Sequence, residues 1–446
     1  MGARVGGRAA RGRELRVLSA DWVVPVEGPP INDGAVAIDD GVIVAVGTAD
    51  ELGTGENFPD AVILPGFVNA HSHLEYAVYA GFGDGLQFGP WIALHVERKQ
   101  RIDLDDMEAI ARLGALECLR SGITTVGDCS FSGAAATACA ELGLRAFVYL
   151  EVFGVDESAL QERFEPTRER IAGALSERVR LGISPHAPYT CSLDLYRACA
   201  KLGLPIATHL AESEAETEFL RSGAGTWQEF AELLVPPPGT SGIRALADES
   251  LLGPQLLAAH CVQADEEEIG LLAAHDVAVA HCPRSNALLG CGIAPLTALR
   301  EAGVRLCIAT DSPASTPSFD MFDEMRAAIA GARARDRRPG ALTAAEALEL
   351  ATLGGARALR LENETGSIAP GKQADVTVLS LAGSPFLPWE DPVTATVLGG
   401  SPERVVATVV SGETRYEKGG KTWPELIGAA RSARGRLLSR AAAPTS

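Results

Sequence analysis

Apolar runs of two kinds follow one another along the chain and predict two kinds of domain. Residues 14–62 hold short β-like runs broken by turns, such as "ELRVLSADWVVPV" and "GAVAIDDGVIVAVG". From residue 65, apolar runs of strand length alternate with longer helix-like stretches, which include 106–120, 192–202, 265–275 and 319–335. Short β-runs return after residue 364, in "GSIAPGKQADVTVLS" and "RVVATVVSGETRYE". Continuous apolar runs of strand length are typical of strands that are buried on both faces of a parallel sheet.

The middle region contains about eight β-α repeats, the pattern of a TIM barrel. The predicted strands end at "FVNAHSH", "ITTVGD", "RAFVYLEVFG", "RLGISPHA", "LPIATHLAE", "LLAAHCV", "VAVAHCP" and "RLCIATDS". We therefore predict an α/β fold, a (β/α)8 TIM barrel with a small β-sandwich domain formed from both chain ends. The predicted order is a flexible arm at 1–13, the small β-domain at 14–64, the barrel at 65–363, the rest of the β-domain at 364–426 and a C-terminal tail at 427–446. The proline run within 224–249 predicts a long loop.

Composition and charge narrow the possible partners. The net charge of −19 disfavours nucleic acids and anionic membrane surfaces as partners. No apolar stretch approaches the roughly 20 residues that a membrane helix needs. Nine cysteines, an odd number without a Cys-x-x-Cys pair, indicate free thiols in a reducing compartment. We expect a cytoplasmic protein that binds neither nucleic acid nor a membrane.

Polar residues gather where the predicted strands end. Active sites of TIM barrels lie at the C-terminal ends of the strands, so polar residues there indicate chemistry. Six of the eight histidines occupy such positions, and only His95 and His275 do not. The strand-end residues are His71, His73, His186, His209, His260, His281 and Asp311, with Glu212 three residues after His209. This concentration at one rim predicts a functional site.

A metal site is the chemistry that these residue types favour. Side chains two apart on a strand point the same way, so His71 and His73 can share a ligand. Together with His209 and Asp311 they would supply three nitrogens and one oxygen, a set that suits zinc. A two-metal barrel site usually needs a bridging lysine on a middle strand, and no lysine lies between Lys99 and Lys201. We expect one divalent metal, zinc first and Fe²⁺ as the alternative.

Several ordered motifs resemble those of the amidohydrolase superfamily. They are "PGFVNAHSHLEY", "SPHAPYT", "THLAES", "AAHCV", "AHCPRSNALLGCGIAPL" and "ATDSPAS". The likeness covers residues 14 to about 415 and is to the single-metal branch, which contains cytosine, guanine, S-adenosylhomocysteine and aminodeoxyfutalosine deaminases. Ala309 departs from the glycine that many relatives carry beside the aspartate.

The resemblance implies a mechanism. A metal-bound hydroxide would attack the ring carbon that bears an amine, and ammonia would leave. Glu212 would carry a proton to the ring nitrogen. Asp311 would bind the metal and also take a proton from its water, while His260 would hold the hydroxide.

The resemblance also implies substrate contacts. His186 is expected to contact the substrate, with a loop-bracing histidine as the alternative. Glu97, in the segment that covers the nucleoside in similar enzymes, is a candidate for holding ribose hydroxyls. The sequence leaves open whether His281 supports the site or has only a structural role. Ser285 and Asn286 are expected to fix the loop after strand seven. Cys261 and Cys282 are expected to be small core residues.

The substrate is less determined than the chemistry. "HSHLEY" and "CPRSN" are most similar to aminodeoxyfutalosine deaminases of menaquinone biosynthesis, whose substrate is an adenine nucleoside with a benzoate tail. Arg284 is a candidate cation for that carboxylate, and an arginine that lies on the surface or braces the loop is an equally open reading of it. Deamination of S-adenosylhomocysteine, methylthioadenosine or adenosine is the close alternative. A triazine or other ring amidohydrolase, and a non-catalytic barrel that only binds, are more distant. Relatives of this kind often form homodimers.

Overall fold

The computed structural model describes residues 15–100 and 102–441. Its strands, in chain order, are β1 (Arg16–Val23), β2 (Ile31–Asp39), β3 (Val42–Thr48), β4 (Glu56–Pro65), β5 (Phe67–Ser72), β6 (Ile123–Ser130), β7 (Arg145–Val152), β8 (Val179–Pro185), β9 (Ile206–Leu210), β10 (Leu256–His260), β11 (Ala278–His281), β12 (Arg305–Ile308), β13 (Val376–Ser380), β14 (Val405–Val410) and β15 (Glu413–Glu417). They form two separate sheets, one of eight strands and one of seven.

The eight-stranded sheet is a parallel barrel. Strands β5 to β12 pair in chain order, and each neighbouring pair is parallel. A parallel bridge between Ser72 and Asp311 joins the last strand region to the first. Asn69 reinforces this closure, because its Nδ2 donates to Thr310 Oγ1 (2.8 Å) and its Oδ1 accepts from the Thr310 N–H (2.9 Å). The predicted TIM barrel is confirmed.

Helices connect the strands and surround the barrel. They are α1 (Ala49–Leu52), α2 (Phe88–Gln100), α3 (Leu104–Arg120), α4 (Ala134–Leu142), α5 (Glu165–Ile171), α6 (Leu193–Lys201), α7 (Glu214–Ser222), α8 (Gly242–Asp248), α9 (Glu266–Ala274), α10 (Pro283–Leu288), α11 (Leu296–Glu301), α12 (Met321–Asp336), α13 (Ala344–Glu349), α14 (Gly355–Ala358), α15 (Pro392–Gly399) and α16 (Pro424–Ala441). Shorter 3-10 or π-helical turns span Leu74–Tyr76, Leu160–Phe164, Ala172–Ala174, Thr226–Leu233, Leu350–Gly354 and Pro402–Arg404. The four helices predicted by range, α3, α6, α9 and α12, lie within two residues of their predicted bounds.

Both chain ends build the seven-stranded sheet. Its strand order is β15-β14-β13-β4-β1-β2-β3, and β4 lies parallel to β1 but antiparallel to β13. Strand β4 therefore joins the N-terminal strands to the C-terminal ones. The small β-domain from both ends is confirmed. The boundaries at 14, 65, 364 and 427 stay predictions, and the arm at 1–13 lies outside the described residues.

Helices occupy parts of the predicted loop at 224–249 and of the C-terminal tail. The loop predicted over 224–249 contains the turn Thr226–Leu233 and helix α8, whose first turn is capped by the Ser241 side chain. Trp227 anchors this segment, because its buried ring packs on Phe88 (centroids 5.7 Å apart) and Tyr189 (4.7 Å). Helix α16 takes up most of the predicted tail and packs one apolar face against α3.

Two sequence-wide properties can be compared with the structure. All nine cysteines are buried and free of disulfides, including Cys261 and Cys282. Within 15–100 and 102–441, no helix combines the length and apolar character needed to cross a bilayer.

Candidate active site

Three histidines and an aspartate converge at the C-terminal ends of the barrel strands. His71 and His73 come from the end of β5, His209 from β9 and Asp311 from the segment after β12. Asp311 Oδ1 lies 3.4 Å from both His71 Nε2 and His73 Nε2, and His73 Nε2 lies 3.3 Å from His209 Nε2. Ligand atoms of a tetrahedral zinc site, with bonds of about 2.0–2.1 Å, stand roughly 3.3–3.4 Å apart. The spacing of these four side chains suits one divalent metal.

Burial sets the protonation of this cluster. Burial lowers the pKa of His73 well below its usual value and also lowers the pKa of His209. Burial acts to raise the pKa of Asp311, but the hydrogen bond from His71 and nearby histidine charge hold that pKa well below its usual range. Neutral imidazole and ionised carboxylate are the forms that bind metal.

Surrounding groups orient the donors. The His209 Nδ1 lies 2.9 Å from the carbonyl oxygen of His186, which fixes the ring so that Nε2 faces the cluster. Asp311 Oδ2 accepts hydrogen bonds from Ser285 Oγ (2.7 Å) and Ser315 Oγ (2.9 Å), which leaves Oδ1 for the histidines. Asp311 itself has φ of +64°, a strained conformation for a residue other than glycine. Such strain persists only where the surrounding contacts enforce it.

Glu212 and His260 form a second buried pair beside the donors. Glu212 Oε1 lies 3.6 Å from His260 Nε2, and both side chains are buried. His260 belongs with His71, His209 and Asp311 to one group of potential metal ligands, whereas His73 forms a second group with His71 and Cys129. Burial, and then the negative charges of Asp311 and Glu216, raise the pKa of Glu212 well above its usual value. Glu212 is therefore suited to hold a proton at neutral pH.

The loop residues predicted only to fix the loop after strand seven also contact the site. Asn286 Oδ1 lies 2.9 Å from His260 Nδ1, which orients the ring so that Nε2 faces Glu212. Ser285 donates to the aspartate of the donor set. The motif "CPRSN" indicated importance, but only the fold reveals which side chains these residues support.

A cavity of about 650 Å³ opens over the cluster. Its floor includes His73, His209, Glu212, His260 and Asp311. Aromatic side chains from α2 and several loops contribute to the walls, namely Tyr76, Phe88, Trp91, Phe131, Phe153, Tyr189 and Trp227. Largely apolar pockets with a few convergent polar groups are typical of small-molecule sites.

The predicted substrate contacts are placed differently from one another. His186 lines the cavity, and its Nδ1 lies 2.8 Å from Thr190 Oγ1, so Nε2 is left for a ligand. Burial lowers the pKa of His186 well below its usual value, which keeps the ring neutral. His281 is buried but does not line the cavity, and burial lowers its pKa to about 4.

Glu97 is not brought to the cavity. Helix α2 directs Trp91, Ile92, His95, Val96 and Lys99 towards the cavity. This spacing is one face of a helix, and residue 97 falls on the other side. Glu97 is accordingly exposed.

Arg284 is not brought to the cavity either. Its Nε donates to Glu324 Oε1 (2.8 Å), and its Nη1 lies 3.3 Å from Asp323 Oδ2. It also donates to Thr316 Oγ1 and to the Ser318 carbonyl oxygen. The guanidinium thus braces α10 against α12, and the structure gives no support to Arg284 as the substrate's cation.

Four charged residues that the sequence did not single out also line the cavity, namely Lys99, Glu151, Arg163 and Glu232. Lys99 Nζ lies 3.4 Å from Glu151 Oε2. Arg163 stacks on Phe131, with Cζ 3.8 Å from the ring centroid. The helical spacing of Lys99 and Trp91 places both on one face of α2, but the sequence does not show that this face lines the cavity. Arg163 lies in the irregular turn Leu160–Phe164, and no sequence pattern marks it.

Comparisons with known proteins agree with this geometry. The model of the amidohydrolase family matches residues 62–416. A 5-methylthioadenosine/S-adenosylhomocysteine deaminase of Moorella thermoacetica is 32% identical over 412 residues, which cover 89% of this chain and 93% of that protein. A 5'-deoxyadenosine deaminase of Methanothermobacter thermautotrophicus is 33% identical over 414 residues, with coverage of 88% and 93%.

Solved structures show the same fold. The crystal structure of an adenosine deaminase from Xanthomonas campestris with bound zinc superposes with a TM-score of 0.85 and 29% identity, and covers 95% of this chain and 98% of that one. The atrazine chlorohydrolase TrzN from Arthrobacter aurescens shares the fold at a TM-score of 0.81 and 22% identity, with coverage of 94% and 99%. The match over most of the chain, together with curated relatives above 30% identity, establishes that this chain belongs to the amidohydrolase family.

Proposed function

We propose that this hydrolytic deaminase acts on the 6-amino group of an adenosine-type nucleoside. The observation that carries the proposal is the buried Glu212–His260 pair, 3.6 Å apart, beside the clustered side chains of His71, His73, His209 and Asp311. The names of the curated relatives, which are deaminases of methylthioadenosine, S-adenosylhomocysteine or 5'-deoxyadenosine, support the adenosine-type substrate.

One divalent metal is held by His71, His73, His209 and Asp311 in this proposal, and zinc is the ion proposed. The zinc found in the Xanthomonas campestris adenosine deaminase supports this choice, with Fe²⁺ as the alternative. When bound, zinc lowers the pKa of a water molecule to about 7 and so supplies hydroxide at neutral pH.

Three side chains handle protons and the attacking water. Asp311 takes a proton from the water and passes it to the leaving amine. His260 holds the water through Nε2, because its Nδ1 is already engaged by Asn286. Glu212 delivers its proton to the ring nitrogen that gains charge as the ring carbon is attacked, and its raised pKa keeps that proton available.

The substrate proposed is 6-amino-6-deoxyfutalosine, an intermediate of menaquinone biosynthesis. The likeness of "HSHLEY" and "CPRSN" supports it. Arg163 replaces Arg284 as the cation for the benzoate. Its Nε and Nη2 each donate to a backbone carbonyl, of Glu151 and Phe131 (3.0 Å both), while Nη1 makes no hydrogen bond with the residues that the structure describes. Phe131 and Phe153 beside it suit an aromatic tail. S-adenosylhomocysteine, methylthioadenosine, 5'-deoxyadenosine and adenosine are the alternatives.

Ammonia release from these five nucleosides tests the proposal. The wild type is compared with Arg163→Met and with Arg168→Met, a control that removes an exposed arginine from α5. One charge-assisted hydrogen bond contributes roughly 1.5–3 kcal/mol. We therefore expect Arg163→Met to lower kcat/KM about 10- to 100-fold for aminodeoxyfutalosine and to change adenosine little. If methylthioadenosine or adenosine is the best substrate, the proposal that the substrate carries a carboxylate tail is wrong. If no nucleoside releases ammonia although metal is bound, deamination of such nucleosides is wrong.

A further inference from the structure

Glu151 is a buried carboxylate in the cavity for which the proposed chemistry has no use. It lies near the C-terminal end of β7, its side chain is 2% exposed, and it lines the cavity close to the metal-binding histidines. Its two oxygens face different partners. Oε1 lies 4.0 Å from His73 Nδ1, and Oε2 lies 3.4 Å from Lys99 Nζ.

His73 is the donor whose orientation is least supported. Its Nε2 faces Asp311 and His209, but its Nδ1 is buried and makes no hydrogen bond among the residues described by the structure. Histidines that bind metals almost always donate their other ring N–H to an acceptor, which fixes the tautomer and the ring orientation. The oxygen of Glu151 that faces Nδ1 would reach hydrogen-bond distance with a shift of about 1 Å.

Lys99 holds Glu151 from the opposite wall. Its side chain is only 10% exposed, and its ammonium lies 4.2 Å from the Phe131 ring centroid and 4.8 Å from that of Tyr76. Tyr76 in turn packs edge-on against His73, with ring centroids 5.8 Å apart. A cation seated between two ring faces and a carboxylate has little freedom to move. Lys99 belongs to α2, the helix that forms one wall of the cavity.

We propose that Glu151 is a positioning residue that orients His73 for metal binding, and that Lys99 acts through Glu151 so that the seating of helix α2 and the affinity of the metal site are coupled. The inference rests on the metal site of the proposed function but not on the identity of the substrate. If α2 moved away from the cavity wall, Lys99 would move with it. Glu151 would then lose its ion pair, and His73 would be held less firmly in the orientation for metal binding.

Zinc affinity of the purified full-length protein, measured by competition with a chromophoric chelator and without substrate, tests the coupling. Removal of a group that orients a metal ligand typically costs 10- to 100-fold in metal affinity. We expect a loss of about that size in Glu151→Ala, a smaller loss in the isosteric Glu151→Gln, and a loss in the same direction in Lys99→Met. Because Lys99 acts through Glu151, the double variant Glu151→Ala/Lys99→Met should bind zinc no more weakly than Glu151→Ala alone.

Arg168→Met is the control, because it removes an exposed arginine of α5 that pairs with Glu165 and does not line the cavity. Its zinc affinity should stay within about twofold of wild type, well short of the loss expected for an orienting group. Thermal unfolding of the metal-free variants checks that all of them fold.

Two results would overturn the coupling. Unchanged zinc affinity in Glu151→Ala would show that Glu151 does not orient His73 for metal binding. A further loss of affinity on adding Lys99→Met to Glu151→Ala would show that Lys99 acts independently. Neither result depends on which nucleoside is deaminated, so failure of the proposed substrate leaves this test intact.

Discussion

Replacement of Glu212 by glutamine should abolish most turnover while the protein remains folded. Glutamine has nearly the size of glutamate but cannot deliver a proton. General acid–base groups contribute about 10²- to 10⁴-fold to rate, which corresponds to roughly 2.7–5.4 kcal/mol of transition-state stabilisation. Glu212 is buried beside Asp311 and His260, where solvent cannot readily replace it as a proton source. We therefore expect kcat to fall within that range, with little change in KM.

The same substitution should not weaken the fold. Burial raises the pKa of Glu212 in the folded protein, so the contribution of this group to stability is present below the unfolded pKa and is lost as pH rises through the folded pKa. The neutral amide of glutamine does not titrate, so its contribution to stability does not fall as pH rises. The metal-free Glu212→Gln variant should consequently unfold at the wild-type temperature or above it at pH 8, as measured by calorimetry.

The assay pairs ammonia release with metal analysis. Glu214→Gln, the same chemical change at an exposed position two residues away, is the control and should keep wild-type rate. Glu212→Gln should keep its full complement of metal, because the carboxylate is not among the proposed ligands. A rate within a few-fold of wild type would refute Glu212 as the proton carrier. A lost rate accompanied by lost metal would instead assign it to metal binding.

Further substitutions test the ligands, the pH dependence and the structural arginine. His209→Ala should lose most bound metal by elemental analysis, whereas His186→Ala should keep it and mainly raise KM; loss of metal from the latter would make His186 a ligand. The lowered pKa of His281, about 4 against an ordinary 6.5, means that its stabilising contribution is present above pH 6.5 and is lost as pH falls through 4. The contribution amounts to about 3 kcal/mol at most. The free energy of unfolding of metal-free His281→Gln, measured in urea, should therefore fall less steeply towards acid pH than that of the wild type. The same pH dependence as in the wild type would contradict this. Arg284→Met should destabilise the fold by about 1.5–3 kcal/mol because it removes the guanidinium that donates to the buried Glu324, which keeps only the backbone N–H of residue 284 and Thr316 as donors. A wild-type urea midpoint would show that the pair contributes nothing.

Hydrophobic pattern was enough to predict the barrel and the rim at which the site lies. Buried parallel strands must be apolar throughout, so histidines at their ends stand out. His71, His73, His209 and Asp311 could be grouped because the barrel rule brings distant strand ends together. In the structure Asp311 Oδ1 lies 3.4 Å from His71 Nε2 and from His73 Nε2, and His73 Nε2 lies 3.3 Å from His209 Nε2. The role of these four residues as metal ligands stays a prediction.

Side chains outside the strands could not be placed in the same way. Whether Glu97 or Lys99 faces the cavity depends on the rotation of α2 about its axis, and the aromatic residues around it do not fix that rotation in the sequence. Arg163 lies in the turn Leu160–Phe164, whose five-residue hydrogen-bond spacing breaks ordinary helical periodicity. Arg284 follows the strand-seven histidine directly, yet the buried carboxylate of Glu324, 40 residues later, attracts its side chain away.

The ring closure between β5 and β12 has a consequence for folding kinetics. His73 and His209 are 136 residues apart in the chain, and Asp311 meets His71 only when the last strand reaches the first. Such long-range contacts form late, after most of the chain entropy has been lost. A metal ion therefore has no complete site until the ring closes, and it binds the native state alone. At a free metal concentration 1,000 times Kd it would add about 4.1 kcal/mol to the free energy of unfolding. Because the metal binds only after the folding transition state, its removal by a chelator should speed unfolding and leave the rate of refolding unchanged.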